Sequence, residues 1–240
     1  MKLQLSSRKS AIASIAALAL IGTVLTTSAA SAADTRYISV SAIGTVKVKP
    51  DAVRINLTVS NVALASKDAL ATANAASTKV RAALTANSIA TQYIRSTTLT
   101  VFPEYNYTQD KGTVLIGYRA SQTFEVIVRA AASAGAVVDA IVAAGGDALA
   151  VDGVTPFVYD NAKASEAARV VAVKSAQAKA ASYAKLLSVK LGKIISLDES
   201  SAPSNPGILM AMAKSDAGAT QIDLGTQDLS VSVSTKWLIS

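Results

Sequence analysis

The sequence predicts an α+β fold in which antiparallel sheets carry helices packed on one face. Three observations predict it. Segments that alternate apolar and polar residues recur along the chain, as half-buried strands do. Between them lie segments whose apolar residues return every three or four positions, as on one face of a helix. The two kinds follow one another as paired strands and single helices, giving βαββ-like units that repeat loosely with no repeat at residue level.

The chain opens with a leader. Lys2, Arg8 and Lys9 precede the uncharged apolar run Ala11 to Leu25, and the small residues Ala30 to Ala33 offer a cleavage point, so residues 1–33 read as a signal peptide. Cleavage would leave about 207 residues. We read residues 36–240 as a single domain, with no cysteine for a lipid anchor and no spanning segment in the mature chain. The expected location is the periplasm or the extracellular side of the cell envelope.

Tyr37 to Asn61 is expected to be a hairpin. Val53, Ile55, Leu57 and Val59 face one way, Arg54, Asn56, Thr58 and Ser60 the other, and Pro50-Asp51 supplies the corner. Ser66 to Asn87 reads as a helix, with Leu70, Ala73, Val80 and Leu84 on its apolar side and Ser66 as N-cap. Strands Tyr93 to Val101 and Thr113 to Arg129 flank a long hairpin connection whose tip is Asp110 to Gly112. A second helix spans Ala131 to Ala144 and stops at Gly145-Gly146. After a strand at Leu149 to Tyr159, the longest helix covers Asn161 to Leu191, with Val170, Val173, Ala180, Ala184 and Leu187 in its stripe. Lys193 to Glu199 is a strand. Residues 200–225, rich in Pro and Gly, read as a mobile loop with a turn of helix near Leu209 to Ala213, and Asp228 to Ile239 closes the chain as a strand.

Composition narrows the chemistry. The chain has no cysteine and no histidine, which removes disulfides, zinc sites of the His/Cys kind and any nucleophile that depends on histidine. After the leader, 20 cations face 16 anions, a net +4 spread along the chain, which does not point to nucleic acid.

Once the elements are placed, their residues resemble a known family. Ile38 to Gly44, Val48-Lys-Pro-Asp51 and Val53 to Val59 resemble the start of the SIMPL domain family. Ser96 to Leu99, Phe102-Pro-Glu-Tyr-Asn-Tyr107, Gly117 to Ser121, Phe124 to Arg129, Gly153 to Phe157, Glu166 to Arg169, Ala176 to Ala180 and Leu191 to Lys193 continue the likeness in order. The resemblance covers roughly Arg36 to Trp237 and departs from it in the loop at 200–225. It implies an exported bacterial envelope protein, of a kind known as periplasmic immunogenic or oxidative-stress-defence proteins, whose members form assemblies. It implies no catalytic residue.

Candidate sites are few. Tyr105, Tyr107 and Tyr118 are the candidate ligand or interface residues, with cross-strand aromatic pairing as the plainer use. Ser182-Tyr-Ala-Lys185 matches Ser-x-x-Lys without its companion motifs, and reads as helix surface. Asp147, Asp152, Asp198 and Glu199 read as turn and edge charges. No catalytic residue, cofactor or metal site is expected. The expectation is therefore a non-enzymatic envelope protein that forms homo-oligomers or binds an envelope component, linked to envelope or oxidative stress. Its rivals are a module binding a glycan or small hydrophobic molecule, and a hydrolase built on carboxylates or Ser182.

Overall fold

The computed structural model describes residues 36–110, 112–200 and 219–240. The leader and the helical turn expected near Leu209 to Ala213 lie outside the described residues. Seven strands and three helices follow in the order β1 (Tyr37–Val48), β2 (Ala52–Ala63), α1 (Ser66–Ala86), β3 (Ile94–Thr108), β4 (Gly112–Val128), α2 (Ala134–Gly145), β5 (Leu149–Phe157), α3 (Ala162–Leu186), β6 (Leu191–Ser200) and β7 (Gln227–Ile239). The fold is α+β, as the alternation implies.

The strands form two antiparallel sheets. One has the order β1-β7-β6, the other β3-β4-β2-β5. The first βαββ unit, from β2 to β4, closes within one sheet, whereas β5-α3-β6-β7 is divided between the two.

The hairpin expected over Tyr37 to Asn61 does not form. β1 pairs with β7 from Tyr37↔Leu238 to Val48↔Gln227, and β2 lies between β4 and β5 in the other sheet. Two-residue alternation fixes the face a strand buries but not the strand beside it, so each neighbour in sequence has found a different partner. Pro50 is buried at the crossing from one sheet to the other. Asp51 does not bond its own turn. Its carboxylate instead accepts the N–H groups of Tyr159 at 2.6 Å and Asp160 at 3.2 Å, which holds the β5–α3 connection against the crossing.

Each sheet has its own core. In the larger, Val53, Ile55, Leu57 and Val59 of β2 meet Phe124, Val126 and Val128 of β4 beneath Val80 and Leu84 of α1 and Val137, Val138 and Ile141 of α2. Residues Ala131–Ala148, α2 with its flanking turns, are long and apolar enough to cross a membrane by length and composition. The burial of Val137 and Ile141 against the sheet gives that apolarity its partner. α1 begins after Ala65 with no side-chain cap, so Ser66 is its first residue and not its N-cap.

The smaller core is made by closeness. α3 buries Ala168, Ala172, Ala176, Ala180 and Ala184, a strict four-residue stripe, on Ile38, Val40 and Ala42 of β1 and Val231 and Val233 of β7. The stripe expected through Val170 and Leu187 is displaced, and both residues are exposed. Small side chains let the helix axis approach the sheet, and Gly44 completes the fit where a Cβ would fall inside the backbone of Ala168 and Ala172.

Of the segment read as a loop, Ser200 ends β6 and residues after 218 lie on the larger core. Thr220 donates its N–H and hydroxyl to Asp139 of α2 at 3.1 and 2.5 Å, and Ile222 and Leu224 pack beside it. Those two bonds hold the Asp139 carboxyl below the usual range.

Candidate functional site

The three tyrosines singled out in the sequence are set by the register of β3 and β4. β2 ends at Ala63, level with Tyr118, so among the described residues Gly112 to Gly117 of β4 pair with β3 alone. The two strands therefore run on past the sheet as a ribbon. Gly117 makes the departure possible, because a Cβ there would stand 2.6 Å from the Ala63 carbonyl oxygen. At the same level the pairing slips between Glu104 and Tyr105, a bulge that changes the side each residue takes.

The tyrosines are consequently separated. Tyr118 lies opposite Pro103 and packs with Ala69, Ala73 and Ala120 under the start of α1. Tyr105 and Tyr107 stand beyond the bulge, opposite Leu115 and Thr113, and Tyr107 is 75% exposed. No aromatic ring faces either of them among the described residues. Phe102, Val114, Leu115 and Ile116 are exposed with them, so the ribbon is apolar and uncovered. At its base Arg119 donates two bonds to Glu104, at 2.7 and 2.8 Å, clipping strand to strand. The hydrogen bonds from Arg119 hold the Glu104 carboxyl below its usual range and raise the guanidinium in return.

A second assembly of side chains gathers residues far apart in sequence. Arg54 lies over the ring of Phe157 at 4.7 Å, Phe157 neighbours Tyr159 at 6.2 Å, and Tyr159 meets Tyr93 edge to face at 6.3 Å. Arg129 stacks on Tyr159 at 3.7 Å and donates to the Tyr93 hydroxyl at 3.2 Å. Such stacks are worth about 0.5–1 kcal/mol each at exposed positions. The Tyr93 hydroxyl is lowered by its hydrogen bond with Gln92 and then by Arg129. Desolvation pulls Arg129 down, but its bond to Tyr93 and the nearby Tyr159 and Asp51 raise it overall. Periodicity had no means to flag this group, since its members come from β2, β5 and three connections.

The remaining candidates stay apart. Ser182 and Lys185 are exposed on α3, as helix surface residues are. Asp152 accepts the Thr58 hydroxyl at 2.6 Å and Glu199 is held by Arg169, so both serve local structure. No three carboxylates gather as metal ligands among the described residues.

Two helix-backed antiparallel sheets with a projecting ribbon define an α+β domain. The chain belongs to the SIMPL family: the family model, described as "Protein of unknown function (DUF541)", matches residues 38–237. It is similar to the 26 kDa periplasmic immunogenic protein of Brucella melitensis biotype 1 and to that of Brucella abortus strain S19. Each is 31% identical over 174 residues, covering 70% of this chain and 68% of the relative. The chain is thus an exported periplasmic protein, in agreement with the location expected from its sequence.

Proposed function

We propose that this periplasmic protein works without catalysis, by self-association through the β3–β4 ribbon, in a role tied to envelope or oxidative stress. The observation that carries the reading is the ribbon itself. Beyond Tyr118, among the described residues, no strand but β3 pairs with β4, and the ribbon exposes Tyr105, Tyr107, Val114, Leu115 and Ile116. A two-stranded ribbon is marginal alone in water. Bare edges and apolar side chains on it call for a partner. A second copy is the partner always present at equal concentration, and contacts repeated by symmetry would cover every ribbon in the assembly. The resemblance to assembling family members supports the same choice, and it alone supplies the link to stress.

Light scattering on the purified mature protein tests it. An assembly of defined size is expected, and Tyr107→Ser with Ile116→Ser should shift it to monomer without loss of secondary structure. A wild-type monomer at micromolar concentration would end the proposal. The rival, a ligand module on the same tyrosines, predicts that Tyr105→Ala and Tyr107→Ala abolish glycan binding while the size is unchanged.

A further inference from the structure

The two sheets end in β1, β6, β3 and β5, and a bare strand edge is a template for pairing with another chain. Three of these edges are broken. β3 carries Pro103 and slips register twice, β5 carries Pro156 and a bulge at Asp152, and β6 shifts twice between Leu191 and Ser196. β1 is regular throughout, pairing residue for residue with β7 from Tyr37 to Val48.

Two bonds show which groups β1 leaves open. Val40 turns its carbonyl to β7, where Thr235 donates its hydroxyl at 3.4 Å. The carbonyl of Ser41 therefore points away from the sheet, as do the N–H and C=O groups of Ser39, Ile43 and Thr45. Among the described residues these groups have one partner: Lys179 of α3 donates its Nζ to the Ser41 carbonyl at 2.9 Å. An added strand would put a backbone N–H at that place.

α3 lies along this edge in the opposite direction, since Gly44 abuts Ala168 and Ala172 while Ser41 meets Lys179. Val171, Ser175, Lys179 and Tyr183 follow one another at four-residue steps on one side of the helix. Val171 and Tyr183, to either side of Lys179, are 41% and 52% exposed. Such a helical step covers about 6 Å, close to the two-residue step of a strand. A strand laid beside β1 would thus set alternate side chains against these four residues.

The charge about the edge selects the partner. Lys179, Lys236 opposite Ser39, Lys47 and Lys49 are basic and exposed, and Asp228 is already paired with Lys47 at 3.3 Å. A second copy paired through β1 about Ser41 would set Lys179 against Lys179, which repels. We propose that β1 takes an added strand from a partner protein, an extended segment with a carboxylate between apolar residues on the face it turns to α3. Its N–H displaces Lys179 from the Ser41 carbonyl, and the freed ammonium pairs with the incoming carboxylate. A basic strand finds no such pair, so the lysine both guards the edge and chooses what adds to it. The surface lies on the smaller sheet, away from the ribbon, and does not depend on self-association.

Amide hydrogen exchange on the mature protein tests the proposal with the blocked peptide Val-Thr-Thr-Thr-Glu-Thr-Val and its counterparts with Gln or Lys in place of Glu. The Glu peptide should slow exchange at Ser39, Ser41, Ile43 and Thr45, and leave Val40 and Ala42, which β7 protects, unchanged. The Gln peptide should bind about threefold to fivefold more weakly, the worth of one exposed ion pair, and the Lys peptide more weakly still. Lys179→Ala should bring the Glu and Gln peptides to equal affinity, and Lys179→Glu should favour the Lys peptide, each with the fold intact by circular dichroism. Unchanged exchange at the four amides with millimolar Glu peptide would overturn the proposal. So would an undiminished preference for Glu in Lys179→Ala, or slow exchange at those amides without peptide, which would place a second copy on the edge.

Discussion

Ser77 sits in the buried stripe of α1 with its Oγ enclosed and, among the described residues, without a hydrogen-bond partner. A buried hydroxyl left unpaired costs about 1–3 kcal/mol of desolvation. Ser77→Ala removes the hydroxyl, leaves the methylene packing and improves helix propensity by a few tenths. We expect a stabilisation of about 1 kcal/mol, read as a higher urea midpoint at unchanged slope. Gly44 is the opposite case. Its missing side chain is filled by the backbone of Ala168 and Ala172, neither of which can yield as a flexible side chain does. Gly44→Ala must push α3 from β1 and should cost about 1–3 kcal/mol, as overpacking does. At roughly 2–4 °C per kcal/mol for a chain of this size, the melting temperature reports it. Loss of less than 1 °C would mean that the helix can ride outward freely.

At the scale of elements, the least visible joint is the crossing at Pro50-Asp51. Asp51 gathers two amides from the β5–α3 connection, so Asp51→Ala leaves the N–H groups of Tyr159 and Asp160 to water. We expect faster hydrogen exchange at those two amides, loosening of the Arg129–Tyr159 stack, and a stability loss of about 1 kcal/mol. Unchanged exchange there would show that the connection is held by α3 alone. The same joint shows why the sequence was only partly legible. Val53, Ile55, Leu57 and Val59 announced their face because the period of a strand is local. The partner of β1 was β7, 180 and more positions away in Lys47↔Asp228, and no local signal carries that distance. Apolarity likewise suggested Val170 and Leu187 for the buried side of α3, where alanine won because closeness to the sheet mattered more than side-chain volume. The ribbon tyrosines were legible as candidates from their clustering. The Arg54 to Tyr93 stack was not, because neither spacing nor composition joins its five residues.

Across the whole molecule, three carboxylates among the described residues are held below their ordinary range, each at a different joint. Glu104, through Arg119, clips the ribbon base, and Glu199, through Arg169, ties β6 to α3 at 2.6 and 3.0 Å. Asp139, through Thr220, fastens the segment before β7 to α2. For a group whose folded pKa is depressed, the stabilisation is complete above the unfolded value, near 4 for these side chains. It is lost as pH falls through the folded value. All three are open to solvent, so salt weakens them and each contribution is small. The chain has no histidine to add a transition near neutrality. Stability should therefore be flat in the carboxylate contribution from pH 8 to about 5 and fall below about 4. Arg169→Gln should shrink the acid-dependent part of the urea midpoint between pH 6 and 3, with little change in the ribbon. A profile with its main fall between pH 5 and 7, or an Arg169→Gln profile parallel to the wild type, would refute this account of how the joints are held.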